Sequence, residues 1–306
     1  MIRTKKSKHV DLILTSDWHL REDVPICYVG DFWNDQWEAV DFVSSLQIMY
    51  DCPIIHAGDL FDHWKPSPFL LTKASGNLSE NFYTIYGQHD LPQHNLDLAY
   101  KCGLYNLNIN NQLTILDWYS EYTGIHWGQS PQPIDSDFSD HKILVWHKFN
   151  YQGKLPWPGC TSPTANKLLK DYPYDLIVTG DNHKSFVESY QGRLLVNPGS
   201  LMRQDADQID FHPCVYLYHA EDNTVTKVEL PFKEGVISRE HIEKANQKNE
   251  RLEAYINRLN LEFGMGKVAG SAGGYSFDEE LEIFQQINKI EKSVMEIIYK
   301  SIEKIK

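Results

Sequence analysis

The chain has 306 residues, 42% hydrophobic and 23% charged, with a formal net charge of −13. That apolar share supports a packed core, so the composition excludes a disordered chain and admits one large or two ordinary domains. The acidic balance argues against a passive nucleic-acid binder, which carries a basic excess, but not against a metal enzyme, because bound cations reverse the field of their carboxylates.

The basic start, Met1 to Lys6, runs into a short strand-like segment and then acidic residues, which is not a signal-peptide pattern. Val10–Thr15, Pro53–Ala57, Phe82–Tyr86, Ile143–Trp146 and Leu176–Thr179 are short apolar runs of the length expected for buried strands. Helical spacing is predicted between them over Phe32–Met49, Phe69–Leu78 and Thr164–Lys170. Trp33, Trp37 and Phe42 recur at helical spacing and are expected in the core, whereas Trp157 lies on an exposed loop where it could touch a substrate. Cys214–Tyr218 and Thr224–Leu230 predict a closing hairpin around Glu221-Asp222-Asn223. The five cysteines lie far apart without a Cys-x-x-Cys pair, so they are expected to be reduced thiols in a cytoplasmic protein. No run of 18 apolar residues occurs, so no membrane span is expected.

After Pro231 the pattern changes. A polar helical stretch, Ser238–Phe263, is followed by a glycine-rich break and a second helix opened by a capping box, Ser276 with Glu279. Ile283, Ile287, Ile290, Val294 and Ile297 alternate by four and three, as in a heptad seam. Residues 1–232 are therefore expected to form one catalytic domain and 233–306 a helix–loop–helix tail.

Each apolar run ends in residues that can do chemistry. Asp17 and His19 flank Trp18; Gly58-Asp59 follows the second run, with Asp59 where a carboxylate can bridge two ions; Gly87-Gln88-His89-Asp90 follows the third. His147 ends the fourth, and Gly180-Asp181-Asn182-His183 ends the fifth. One such motif alone is usually a turn. Five at successive strand ends point to a metal site, since open α/β sheets bind ligands there. Oxygen and imidazole donors without cysteine suit Mn(II), Mg(II) or Fe(II) better than a structural zinc.

The order Asp-x-His, Gly-Asp-x-x-Asp, Gly-Gln-His-Asp, His, Gly-Asp-x-His resembles the signature of the calcineurin-like metallophosphoesterases, with Gln88 in place of Asn and Asp181 in place of His. The resemblance implies an α/β fold in four layers, with two packed mixed β-sheets flanked by helices. It implies one divalent ion on Asp17, His19, Asp59 and His183, and a second on Asp59, Gln88, His147 and Asp181. Water between the ions would attack phosphorus, His89 would serve the leaving oxygen, and Asp62 would orient His89.

Gly58-Asp59-Leu60-Phe61, continuing to Lys65-Pro66-Ser67, resembles the SbcD-type DNA nuclease subunits, including compact phage-encoded forms, as does Asn197-Pro198-Gly199-Ser200 with Arg203 downstream. That implies a manganese-dependent DNA exo- or endonuclease docking on an SbcC-like coiled-coil ATPase through residues 236–306, with a homodimer left open. Arg21, Lys65 and Arg203 are the candidate phosphate contacts. The alternatives are a stand-alone phosphodiesterase or phosphatase on nucleotides or small esters, and a non-catalytic module with a degraded second site.

Overall fold

The computed structural model describes residues 8–78, 81–132 and 142–247, with Gln285, Ser293 and Val294. The chain divides into two units, Met1–His241 and Ile242–Lys306. In the first unit the apolar runs become strands: β1 (Leu12–Thr15), β2 (Ile54–His56), β3 (Phe82–Thr84), β4 (Thr114–Ile115), β5 (Thr123–Ile125), β6 (Ile143–His147), β7 (Leu176–Gly180), β8 (Phe186–Tyr190), β9 (Arg193–Asn197), β10 (Cys214–His219) and β11 (Thr224–Glu229). They form two sheets, ordered β11-β10-β1-β2-β3-β4 and β5-β6-β7-β9-β8. β1 through β4 run parallel, with β10 antiparallel to β1. In the second sheet β5, β6, β7 and β9 are parallel and β8 is antiparallel.

Alternation along the strands assigns each face. Leu12, Leu14, Ile55, Ala57 and Ile85 meet Val145, Val178 and Val196 between the sheets, closed off by Tyr216 and Tyr218. Ile13, Ile54 and Phe82 face the other way, into a core with α1 (Phe32–Tyr50), α2 (Pro68–Asn77) and α3 (Gly103–Ile109). Leu144, Trp146, Ile177 and Leu195 pack on Leu168 and Leu169 of α4 (Ala165–Asp171). The result is four layers, helix–sheet–sheet–helix. A one-residue slip of β1 would exchange its two buried faces, so the packing on both sides pins the register that carries Asp17 and His19.

The helix starts are chemically specified. Asp31 accepts the Asn34 N–H (3.1 Å) ahead of α1, Ser67 that of Leu70 (3.0 Å) ahead of α2, and Thr164 that of Lys167 (3.2 Å) ahead of α4. Pro68 occupies the first turn of α2, where its missing N–H costs nothing. Trp37 is buried, and Trp33 stacks on Phe69 at 5.5 Å, so these aromatics are packing residues.

Val236 and Ile237, expected in the tail, are buried in the first unit's core, and Ile237 bridges to Tyr28. Residues 240–247 are helical. The rest of the expected helix–loop–helix and its seam lie outside the described residues, apart from Gln285, Ser293 and Val294. No described helix is long and apolar enough to cross a membrane. All five cysteines are unpaired.

Candidate metal centre

The five motifs meet at the C-terminal ends of β1, β2, β3, β6 and β7, where the two sheets adjoin. Asp17, His19, Asp59 and Asp181 all have left-handed backbones, with φ of 50°, 46°, 59° and 77°. This region is costly for side-chain-bearing residues and clusters at functional sites. Backbone hydrogen bonds hold the turns together: Asp17 N–H donates to Gly58 O (3.0 Å) and His19 N–H to Asp59 O (3.0 Å). The Asn197-Pro198-Gly199-Ser200 turn backs them, taking a hydrogen bond from Ser16 Oγ at Gly199 O (3.1 Å). Leu201 N–H donates to Asp17 O (3.2 Å).

Among the described residues, three groups of side chains have ligand atoms within 4.8 Å of one another: Asp17, His19 and His183; Asp17, Asp59 and His147; and His19, Asp62 and His89. His147 Nε2 lies 3.3 Å and His19 Nε2 3.7 Å from Asp59 Oδ2. The Nε2 atoms of His19 and His183 approach to 3.2 Å.

Outer hydrogen bonds set which ring nitrogen is free. His147 Nδ1 lies 2.7 Å from Ala57 O. A carbonyl only accepts, so Nδ1 donates to it and Nε2, which faces Asp59, is the nitrogen available to an ion. His89 Nδ1 is likewise bound to Asp62 O (2.8 Å), which leaves Nε2 for the site. His183 Nδ1 faces Asp205 Oδ2 at 3.4 Å.

These residues fit divalent ions. Among the described residues, Asp17 Oδ2, Asp59 Oδ2 and His147 Nε2 are buried polar atoms without a hydrogen-bond partner, a condition that ordinarily costs stability and calls for a ligand or ion. The electrostatics agree. Burial opposes charge on His147, yet Asp59, Asp17 and Asp181 raise its pKa to about 10. Burial also opposes charge on His183, yet Asp205, Asp17 and Asp59 raise it to about 9. Burial would push the Asp59 carboxyl up, but His147, His19 and His89 hold it below the usual range. A field that draws protons onto imidazoles draws a cation into the same space.

Gln88, Asp181, Arg21, Lys65 and Arg203 stand outside those three groups. Gln88 Nε2 donates to Asp181 Oδ1 (3.0 Å), so the two departures from the family pattern pair with each other. Asp181 N–H donates to Asp17 Oδ1 (3.0 Å). The Asp181 carboxyl is pushed up by burial and by Asp17 and Asp59. Asp62 meets His89 through its backbone carbonyl; its carboxylate lies 3.5 Å from His19 Nδ1 and 3.2 Å from an Arg21 nitrogen. Arg21 also binds Asp23. Lys65 is exposed, its N–H on His63. Arg203 is not among the clustered residues. It is buried over the Phe232 ring at 4.8 Å and donates to the Ile209 and Lys233 carbonyls.

Two contributors went unassigned in the sequence reading. Asp90 accepts backbone N–H groups from Asp59 (2.9 Å), Leu60 (3.3 Å), Phe61 (3.2 Å) and Gly87 (3.0 Å), and so clamps the second and third motifs together. Burial and Asp59 push its carboxyl up to about 7, against those hydrogen bonds. Its place beside His89 was the only available signal. Asp205 orients His183 and has no local signature.

The calcineurin-like phosphoesterase superfamily domain matches residues 11–223. Among solved structures, an archaeal phosphodiesterase aligns at 15% identity over 72% of this chain and 99% of its own, with a TM-score of 0.40. A Staphylococcus aureus protein assigned as a 5′-nucleotidase aligns at 13% over 78% of this chain and 58% of its own (TM-score 0.41). Vacuolar protein sorting 29 from Cryptosporidium parvum aligns at 17% over 74% and 100% (TM-score 0.33). No curated protein matched the chain.

Proposed function

The chain belongs to the calcineurin-like phosphoesterase superfamily, and from that premise we propose that it is a two-metal phosphodiesterase whose substrate is DNA. The observation that carries the reading is the convergence of buried, unpartnered donor atoms on Asp17, Asp59 and His147. Asp17, His19, Asp59 and His183 would hold one ion, and Asp59, His147, Asp181 and Gln88 the other. When bound, such ions activate water and neutralise phosphoryl charge. Carboxylate and amide donors at the second position favour Mn(II) or Mg(II) over softer preferences.

His89 is the proton donor in this reading. Its Nδ1–H is committed to the Asp62 carbonyl, so Nε2 is the atom that can hold a proton at the leaving oxygen. Its backbone N–H donates to Asp59 Oδ1 (2.8 Å), which ties the acid's position to that of the bridging carboxylate.

DNA as substrate and an SbcC-like ATPase as partner rest on the Gly58-Asp59-Leu60-Phe61 to Lys65-Pro66-Ser67 stretch and on the tail pattern. The docking segment would then begin after Ile237, which belongs to the core. Unpaired cysteines support a cytoplasmic setting. The test is digestion of linear single- and double-stranded DNA with Mn(II), beside bis(p-nitrophenyl) phosphate. Cleavage of both supports the proposal. Cleavage of the small diester alone overturns DNA as substrate, and inertness toward both with every metal overturns the enzyme.

A further inference from the structure

A cavity of about 500 Å³ opens directly beside the centre, with Asp181 and His183 on its inner wall. Its volume falls within the roughly 300–1,000 Å³ of small-ligand sites. Three aromatic side chains, Phe149, Tyr151 and Trp157, line it together with Pro156 and the exposed Lys154 and Lys184. The Phe149 and Trp157 rings lie 5.1 Å apart at 58°. Trp157 is 49% exposed, and Leu155 on the same loop is 59% exposed.

The wall is held in place. Tyr151 bridges to Thr164, and Ala165 N–H donates to Tyr151 O (2.9 Å), so the loop carrying Trp157 is closed at its base. Between those residues the chain has no helix or strand. Structureless connections longer than about 12 residues are uncommon in compact domains, and binding loops are a main reason for them. The opposite wall is pinned by Asn197, whose side chain donates to the Asn182 carbonyl (2.6 Å) and the Lys184 carbonyl (2.7 Å). Asn182 in turn donates to Asn150 O (2.7 Å). An indole held half in water, against a fixed wall and next to a phosphoester centre, offers a flat face to a planar group. Lys154 and Lys184 share the groove with Asp205 and Asp207, so its selective feature is the aromatic face and not its charge.

We propose that this groove is a nucleobase subsite: Trp157, backed by Phe149, stacks on the base attached to the phosphodiester at the metal centre. The inference rests on the phosphodiesterase reading for the placement of phosphorus. A planar base supplies the stacking partner and a phosphate the anion, whereas an aliphatic ester supplies only the second. Stacking of one base on an aromatic side chain corresponds to roughly a ten- to hundred-fold effect on binding.

The experiment compares thymidine 5′-(p-nitrophenyl phosphate) with methyl p-nitrophenyl phosphate, which share a leaving group and differ in the nucleoside. Parent, Trp157→Ala and Trp157→Phe are assayed with Mn(II), and thymidine 5′-monophosphate binding is measured by calorimetry. The expected result is a parent preference for the nucleoside ester, carried in KM. Trp157→Ala should reduce it roughly ten-fold or more, and Trp157→Phe should largely keep it, which separates stacking from misfolding. Hydrolysis of both esters without preference, or a preference unchanged in Trp157→Ala, overturns the subsite and leaves the phosphodiesterase reading intact. If neither ester is cleaved, that reading fails and the monophosphate decides: ten-fold weaker binding by Trp157→Ala upholds the subsite, and equal or absent binding overturns it.

Discussion

Gly87 is the position where one added carbon should do the most damage to the centre. A Cβ there would lie 2.1 Å from Asp59 Oδ1, 2.4 Å from the Asp59 nitrogen and 2.5 Å from its Cγ, where real contacts do not fall below 3.0 Å. Asp59 cannot swing aside cheaply. Its Oδ1 accepts the His89 N–H at 2.8 Å, and its own N–H is held by Asp90 at 2.9 Å. Gly87→Ala must therefore move the Asp59 carboxylate or its turn by about 1 Å, and misplacement on that scale at a metal ligand would cost on the order of 100-fold in rate. Forcing one carbon into a packed site also costs roughly 1–3 kcal/mol, or a fall in Tm of roughly 2–12 °C for a domain of this size. The control is Gly76→Ala on α2, where an added Cβ meets nothing within 4 Å. Chelator-stripped proteins are reloaded with Mn(II), bound ions are counted by calorimetry, and bis(p-nitrophenyl) phosphate hydrolysis is followed. The expected Gly87→Ala protein binds metal more weakly and turns over about 100-fold more slowly, whereas Gly76→Ala matches the parent. A Gly87→Ala protein within two-fold of the parent in both would refute the argument that Asp59 is packed in place as a ligand.

His89→Ala should keep its metals, by elemental analysis, and lose about 100-fold or more on DNA. The loss should be smaller on a p-nitrophenyl ester, whose leaving group needs no proton; loss of metal would contradict the role. His147→Ala should lower the bound ions from two to one, and Asp59→Asn should weaken both; unchanged stoichiometry in either would contradict the ligand sets. His56, fully buried between Trp18 and Phe82, has its pKa lowered to about 3, by burial first and then by His147. Its folded pKa lies below the unfolded value, so its contribution is intact above about pH 6.5 and is lost as pH falls toward 3, at up to about 1.4 kcal/mol per pH unit. Urea midpoints should therefore fall less steeply over this window in His56→Phe than in the parent, and parallel slopes would contradict this. Deleting residues 242–306 should spare hydrolysis of a small diester and abolish capture of a coiled-coil ATPase; equal capture by the shortened chain would overturn the docking proposal.

The strands bearing the centre were legible because each is a short apolar run stopped by a glycine, a carboxylate or, in β6, a histidine. β2 with Gly58-Asp59 and β7 with Gly180-Asp181 show this, and both are buried throughout. β8 was not legible: Phe186–Tyr190 is only partly buried and includes Glu188 and Ser189, so it has no uniform apolar signal. The two-residue β4 is too short to show a period. At the site, residue types at strand ends pointed to ligands, but partners supplied by the backbone were invisible. The Asp62 contact with His89 runs through the carbonyl, which every residue has. Asp90 acts on four backbone N–H groups drawn from two motifs. Arg203 looked like a phosphate contact because it follows Asn197-Pro198-Gly199-Ser200, but the structure spends its guanidinium on Phe232 and two carbonyls.

Metal add-back tests whether the buried carboxylates and imidazoles around Asp59 hold ions that hydrolyse phosphodiesters. Chelator-stripped parent and Asp59→Asn are titrated with Mn(II) while bis(p-nitrophenyl) phosphate hydrolysis is recorded. Activity in the parent should appear with the metal and saturate near two equivalents, and Asp59→Asn should stay inactive at the same concentrations. Activity that is independent of added metal, or equal in the two proteins, would contradict that role.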